Sequence, residues 1–332
     1  MTPYPLVFEP ILIPKVWGGE RLARFGKRVK AGDRIGESWE VADLSNTSES
    51  GAGGAEQRSV IANGPLAGKT LHDAAAIWGT RLLGGAKAAA DGGFPVLVKF
   101  LDARENLSVQ VHPSAAYAAA HPGAHLKAEC WYVLDAAPGS VIYKGVKPGV
   151  TREVFARHIA AGTVVEYLVA VPAVVGEIHD LPSGTCHALG AGVLVAEFQT
   201  SSDTTFRVFD WGRSGRALHI AESLDCITWG PAPGAVRLKS ASGAAPAMRN
   251  EFLGVRHVSL GNESETPASP EGACCVVMVL AGAGSLYCEE GLYSPLNLAT
   301  GMTVVVPAAV AKDTQIAAGE TGRIECLVAT IL

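Results

Sequence analysis

Three features of this 332-residue chain predict a mainly β protein of two barrel-like units with small α-helical insertions. Short alternating apolar runs, punctuated by Gly and Pro, follow one another from Val174 to Phe209 and again from Cys275 to Pro307. Helical spacing is confined to two stretches, near 64–90 and 150–170. A run rich in Pro, Gly and Ser, Trp229–Pro246, separates the two β-rich parts, so the chain is expected to divide into residues 1–230 and 231–332.

Pro5–Pro14 is apolar, bracketed by prolines, and reads as extended. Lys15-Val-Trp-Gly-Gly19 is a tight turn carrying Trp17, either a packing residue or the roof of a polar pocket. Ile35-Gly-Glu-Ser-Trp-Glu-Val41 is a strand with Glu37, Trp39 and Val41 on one face. A carboxylate beside a Trp on an interior face needs a partner. Leu66–Leu83 has helical spacing with Thr70 as N-cap, and Gly84–Gly93 reads as a loop. Phe94–Leu101 is a buried strand with one lysine, Lys99. In Leu107-Ser-Val-Gln-Val-His-Pro113 the alternation puts Ser108, Gln110 and His112 on one face. A hydroxyl, an amide and an imidazole side by side suit the floor of a site. Pro113 ends the strand for want of an N–H. Ser114–His121 reads as a short Ala-rich helix, Glu129–Leu134 and Val141–Tyr143 as strands, and Val150–Val169 as helical with Thr151 as cap. Later, a Cys275–Leu280 strand, a Gly-Ala-Gly turn and a Ser285–Glu289 strand are expected, then Gly301–Pro307.

Composition narrows the function. The chain is 48% apolar and 18% charged, below the usual ~25% charged. A net charge of −5 with scattered basic residues argues against a nucleic-acid partner. No apolar run approaches the ~20 residues of a membrane span, and the best, Val164–Val175, contains Glu166 and Pro172. No basic-then-apolar leader opens the chain. Seven Cys without CxxC spacing fit reduced thiols. A soluble cytoplasmic protein with no membrane partner is the expectation.

Gly176-Glu-Ile-His-Asp-Leu-Pro182-Ser-Gly184-Thr-Cys-His187 fits G-x5-P-x-G-x2-H. Pro and Gly make a tight turn, and the next strand brings an imidazole inward. This resembles the second motif of the cupin β-barrels, which implies two cupin-type (jelly-roll) barrels. In the cupin pattern Gln110-Val-His112 stands for H-x-H and Glu129 is the carboxylate. The long stretch between His112 and Glu129 then implies an inserted helix. Gln110, His112, Glu129 and His187 would hold one Zn²⁺ or a similar divalent ion, leaving a position for water or substrate. The other histidines read as surface or core residues. Among them His179 is the one rival, placed in the loop before the turn.

Five stretches resemble the class I mannose-6-phosphate isomerases (phosphomannose isomerases) of the short bacterial form. They are Val16-Trp-Gly-Gly19; Ile35–Val41; Phe94–Lys99 running into Leu107–Pro113; Lys127-Ala-Glu-Cys-Trp-Tyr-Val133; and Pro182–His187 through Glu197-Phe-Gln-Thr-Ser-Ser-Asp-Thr-Thr-Phe-Arg207-Val-Phe-Asp-Trp211. They span most of residues 1–230; the last hundred residues match only as a degenerate cupin without ligands. The resemblance implies Zn²⁺ on the four residues above and a catalytic Arg207. It places Trp17, Glu37, Lys127 and Glu197 around the sugar, and Ser108 and Lys99 toward the phosphate. Two departures stand out: Ala128 replaces a common proline, and Cys186 brings a thiol, with expected oxidation sensitivity, next to His187.

The implied reaction interconverts D-mannose 6-phosphate and D-fructose 6-phosphate through an enediolate. Lys127, His112 and Glu197 are rival bases. Read without the resemblance, Lys127 is a solvated lysine, Arg207 a partner of Asp203 or Asp210, and Lys99 needs an anion, either a substrate phosphate or a carboxylate such as Glu40. The alternatives are an isomerase of another free or phosphorylated sugar, an iron dioxygenase, against which Gln110 argues, and a non-catalytic cupin that binds sugar. Convergence of Lys127, Arg207, Glu37 and Glu197 on the metal separates an enzyme from a binder. The expected partner is a small sugar phosphate, and the expected assembly a monomer or small homo-oligomer.

Overall fold

The computed structural model describes residues 2–47, 54–238, 242–262, 264–319 and 322–332. It is mainly β. Part of the Trp229–Pro246 separator, residues 239–241, lies outside the described residues. No described helix is long and apolar enough to cross a membrane.

Two antiparallel sheets carry the chemistry-bearing residues. The larger has seven strands in the order Val236–Arg237, Glu177–Leu181, Glu129–Ala136, Val193–Thr200, Val96–Asp102, Ile35–Val41 and Ile11–Gly19. The smaller has five, in the order Leu168–Pro172, Val141–Val146, His187–Leu189, Val109–Val111 and Phe206–Phe209. Their inner faces meet through Leu101, Trp131, Val133 and Val195 on one side and Ile142 and Leu189 on the other. The outer face of the small sheet is covered by the Arg152–Ala160 and Ile220–Cys226 helices, through Phe155, Ile159 and Leu224.

The outer face of the large sheet packs on a third, nine-stranded sheet. Val98, Phe100, Cys130, Tyr132, Ala196 and Phe198 meet Leu253, Val255, Val276, Met278 and Leu327 in one core. The third sheet comes from the C-terminal part, with one addition: the N-terminal Leu6–Val7 pairs with Thr303–Val306, Leu6 opposite Val305. Lys27 ties the parts again at this joint. It donates to Glu40 Oε2 at 2.6 Å and to Gly301 O at 2.9 Å.

Some elements depart from the pattern read in the sequence. Leu66–Leu83 is two helices, Leu71–Trp78 and Thr80–Leu83, parted by Gly79; Thr70 caps the first with a capping box on Asp73. The Val150–Val169 helix ends at Ala160, and its last residues become a 3₁₀ turn and the Leu168–Pro172 strand. The expected Gly-Ala-Gly turn is not a turn. Cys275–Cys288 is one long strand with a register shift between Val279 and Ala281. Gly282 sits there at φ +82, and a Cβ on it would lie 1.7 Å from Arg323 O. The glycine permits a bulge and a close approach of neighbouring backbone rather than a reversal.

Candidate metal centre and its cleft

Register brings the polar residues into rows. Across the large sheet, Trp39, Lys99, Glu197, Trp131 and His179 lie opposite one another on successive strands. Across the small sheet, Arg207, Gln110, His187 and Lys144 do the same. Period-2 alternation along the strands then adds Glu37 and Glu129 to the inner face of the first sheet, and His112 lies just past Val111 on the second.

His112, Glu129 and His187 converge, each buried, with one ligand atom apiece within 4.8 Å of the others. His187 Nε2 lies 2.9 Å from Glu129 Oε1, and His112 Nε2 lies 3.6 Å from Glu129 Oε2. The other ring nitrogens are committed: His112 Nδ1 bonds Thr204 O at 3.0 Å, and His187 Nδ1 bonds Thr185 O at 2.8 Å. A carbonyl only accepts, so both Nδ1 atoms carry the proton and both Nε2 lone pairs face the carboxylate. His112 Nε2 and Glu129 Oε1 make no hydrogen bond although fully buried. An imidazole nitrogen and a carboxylate oxygen left unsatisfied beside a second imidazole nitrogen fit a divalent cation of zinc type. The Gln110 carboxamide lies 3.2 Å from His187 Nε2. Rotating that amide by half a turn presents its oxygen to the same point.

The Pro182–Thr185 turn delivers His187. Thr185 N bonds Pro182 O at 3.0 Å, and Gly184 N bonds His112 O at 2.9 Å, so the turn is pinned to the other histidine. Gly184 takes φ +84, and a Cβ there would lie 2.4 Å from Thr228 Oγ1. Cys186 points the opposite way from His187, into the core under the helices, and burial pushes its thiol well up. It is therefore a buried core thiol rather than the oxidation-sensitive one beside the metal that the sequence suggested.

The centre opens into a cleft. Trp17, Glu37, Lys99, Ser108, Gln110, Lys127, Glu129, Glu197 and Arg207 all line it. Four charged or hydroxyl-bearing lining residues were not read as site residues from the sequence: Lys15, Asp203, Thr205 and Arg216. Lys15 carried a signal, since it alternates with Trp17. Arg216 carried none, because it is brought in by a loop held through an ion pair to Asp210.

Charges alternate through the cleft. Lys15 Nζ is 3.4 Å from Glu37 Oε1; Lys99 Nζ is 3.6 Å from Glu37 and 3.9 Å from Glu197; Lys127 Nζ is 3.2 Å from Glu129. Burial would raise the Glu37 carboxyl, but Lys15, Lys99 and the Trp39 Nε1–H outweigh it and hold it down to about 2. Glu129 is likewise held well below its ordinary range against burial, by Lys127 and the two imidazoles. Burial pushes Glu197 up, and its neighbour Glu129 adds to this while Lys99 opposes. Burial and Lys127 depress His112 to about 3.

Several alternatives left open by the sequence are resolved here. Lys127 is buried, not solvated. Lys99 is paired with Glu37 and Glu197, while Glu40 belongs to Lys27 on the other face of its strand. Asp210 is taken by Arg213 and Arg216, and Arg207 donates to Ala217 O at 2.8 Å. His179 is on the Glu177–Leu181 strand rather than in a loop, fully buried opposite Trp131 and outside the His112–Glu129–His187 group. Burial and Lys144 depress it to about 4.

Residues 15–141 match the family described as phosphomannose isomerase type I, catalytic domain. The mannose-6-phosphate isomerase of Streptococcus mutans is 38% identical over 232 residues, 68% of each chain. Among solved structures, the mannose 6-phosphate isomerase of Bacillus subtilis is 28% identical with a TM-score of 0.83, covering 98% of this chain and 99% of that one. A zinc-bound mannose 6-phosphate isomerase, 17% identical, shares the fold at a TM-score of 0.73 over 99% of this chain and 100% of that one.

Proposed function

Since the chain belongs to the mannose-6-phosphate isomerase family, we propose that its cleft interconverts D-mannose 6-phosphate and D-fructose 6-phosphate, with Zn²⁺ held by His112, Glu129, His187 and the oxygen of Gln110. The observation that carries the reading is the buried His₂–Glu group whose Glu129 lines a cleft that also holds Lys127, Glu197, Glu37 and Arg207. A protein that only bound sugar would need no such set of acid–base groups. Bound zinc supplies Lewis acidity toward developing oxyanion charge.

The remaining work falls to the chain's own residues. The cleft has five cationic side chains (Lys15, Lys99, Lys127, Arg207, Arg216) against four carboxylates (Glu37, Glu129, Glu197, Asp203), a balance that favours an anionic substrate. Ser108 and Lys99 face the phosphate, and Trp17 and Glu37 flank the sugar. In the aldose the C2–H bond breaks, its electron pair forms the C1–C2 double bond, and O1 takes a proton. Reprotonation at C1 as the O2 proton leaves gives the ketose, with no net redox change. His112 is excluded as the base because Thr204 O occupies Nδ1 and the ligand role occupies Nε2. Glu197 takes the role: it lines the cleft, and its Oε1 has no hydrogen-bond partner. Lys127 and Arg207 place donors where oxyanion charge develops. Residues 1–230 form the catalytic unit and 231–332 a unit without ligands. In this reading the protein works in the cytosol on a small sugar phosphate, as a monomer or small homo-oligomer without a nucleic-acid or membrane partner.

The test is a coupled assay of mannose 6-phosphate conversion on protein stripped by chelator and refilled with Zn²⁺. Activity lost and restored supports the reading, and Glu197→Gln should then lower kcat by about 10²–10⁴. No turnover with the metal restored would refute the substrate assignment. Full turnover by Glu197→Gln would refute the base.

A further inference from the structure

One buried amide is tied to the metal centre without touching the cleft. Gln199 is fully buried on the Val193–Thr200 strand, opposite Glu129 in register. Its Nε2 donates to Thr200 O at 3.0 Å and to Ser202 O. Those two acceptors fix the amide's orientation, because the reversed amide would set its oxygen against two carbonyls. Together they fold the chain back sharply after residue 200. Ser202 extends the turn: its Oγ donates to His125 O at 3.3 Å and accepts from Thr204 N at 3.2 Å. Thr204 O then meets His112 Nδ1. The Thr200 hydroxyl accepts from Ala128 N and donates to Leu126 O, each at 3.2 Å. One turn therefore joins the segment bearing Lys127 and Glu129 to the carbonyl that orients His112.

We propose that Gln199, acting with Ser202, is a positioning residue of the metal centre: its amide holds the 200–204 turn in the shape that sets Thr204 O on His112 Nδ1. The proposal rests on reading His112 as a metal ligand. A neutral imidazole has one N–H, and the acceptor of that N–H decides which nitrogen remains to bind metal. Here the acceptor is a backbone oxygen, so the turn places it, with the Thr204 hydroxyl also accepting from His125 N at 3.2 Å. Gln199 Oε1 is buried without a partner, a cost that an apolar residue of similar size would avoid. The amide is therefore kept for its donors, and both of them go into the turn.

The test compares Gln199→Leu and Ser202→Ala with Phe198→Leu, a control on the same strand whose side chain enters the opposite core. Two quantities are read: zinc affinity by chelator competition, and the His112 ring tautomer by long-range ¹H–¹⁵N NMR of the apoprotein. Zinc affinity should fall about 10–100-fold in both variants, with loss of the pure Nδ1–H signature, while the control loses stability but moves neither quantity. Affinity within about twofold of wild type and an unchanged tautomer in the variants would overturn the proposal. If Gln199→Leu does not fold, Ser202→Ala decides alone. Wild-type protein that binds no zinc would defeat the metal-centre reading, whereas the apoprotein tautomer still reports whether the turn orients His112.

Discussion

Lys27→Met breaks a buried ion pair away from the cleft. Lys27 and Glu40 side chains are 4% and 3% exposed, and Lys27 Nζ also lies 5.2 Å from the Phe100 ring centre. Methionine keeps most of the stem and removes the charge. Glu40 is left with two hydroxyls, Ser38 at 2.5 Å and Thr303, and no cation. Removing one partner of a buried pair costs about 3–5 kcal/mol. The loss has a pH signature. Burial already raises the Glu40 carboxyl above 4.5 against the pull of Lys27, and the substitution raises it further. A carboxyl raised in the folded state penalises folding above its unfolded value near 4.5 and costs nothing well below it, where both states are protonated. Urea unfolding at pH 8 should therefore show the full deficit, and at about pH 4 most of it should be gone. Adding Glu40→Gln should restore most of the loss at pH 8 and leave kcat of the folded enzyme unchanged. A deficit under about 1 kcal/mol at pH 8, or one that does not change with pH, would refute the reasoning.

Glu37 should behave in the opposite sense. Its folded value near 2 lies below the unfolded 4.5, so its stabilisation is complete above pH 4.5 and is lost as pH falls from 4.5 toward 2. It amounts to about 3 kcal/mol, and Glu37→Gln should flatten that part of the acid-unfolding curve by this amount. Trp39→Phe removes the 2.7 Å bond to Glu37 and weakens the contact with Lys99, 5.1 Å from the Trp39 ring centre; thermal unfolding should show a loss of about 1.5–3 kcal/mol. Zinc at about a thousand times its Kd should stabilise the protein by about 4 kcal/mol, and chelator should reverse this. A chelator-insensitive melting temperature would contradict a metal bound in the folded state.

The strands with strict alternation were legible because a sheet face selects every second side chain. Ser108, Gln110 and His112 fall where period 2 places them, and Glu37 and Trp39 share a face as read, but a register shift after Trp39 turns Val41, read on the same face, into the outer core. Residues that depend on what a neighbouring strand or loop presents were not legible. The Gly282 bulge has the same local composition as a turn, and only the backbone of Arg323 beside it makes the difference. His179 looked like a loop residue because Gly and Pro flank its strand. Arg216 enters the cleft through Asp210, a tertiary ion pair with no periodic trace. Cys186 lay next to His187 in sequence, and the same alternation that turns His187 inward turns the thiol away.

That alternation also gives the C-terminal sheet a share in the chemistry. Lys99 lies between Val98 and Phe100, Glu197 between Ala196 and Phe198, and Trp131 between Cys130 and Tyr132. All six flanking side chains are buried against the third sheet. A one-residue slip of any of these strands would send its apolar pair into the cleft and its charged or aromatic residue into the outer core. The apolar contact on the outer face thus penalises every odd-numbered slip away from the register that aligns Lys99, Glu197 and Trp131 in a single row. The C-terminal part, which adds no residue to the His112–Glu129–His187 group, would then matter to catalysis by holding that row. Cavities cut into this contact, as in Phe198→Ala or Met278→Ala, should lower stability by about 2–5 kcal/mol. Any loss of activity should follow the fraction unfolded, because the surviving folded molecules keep the register.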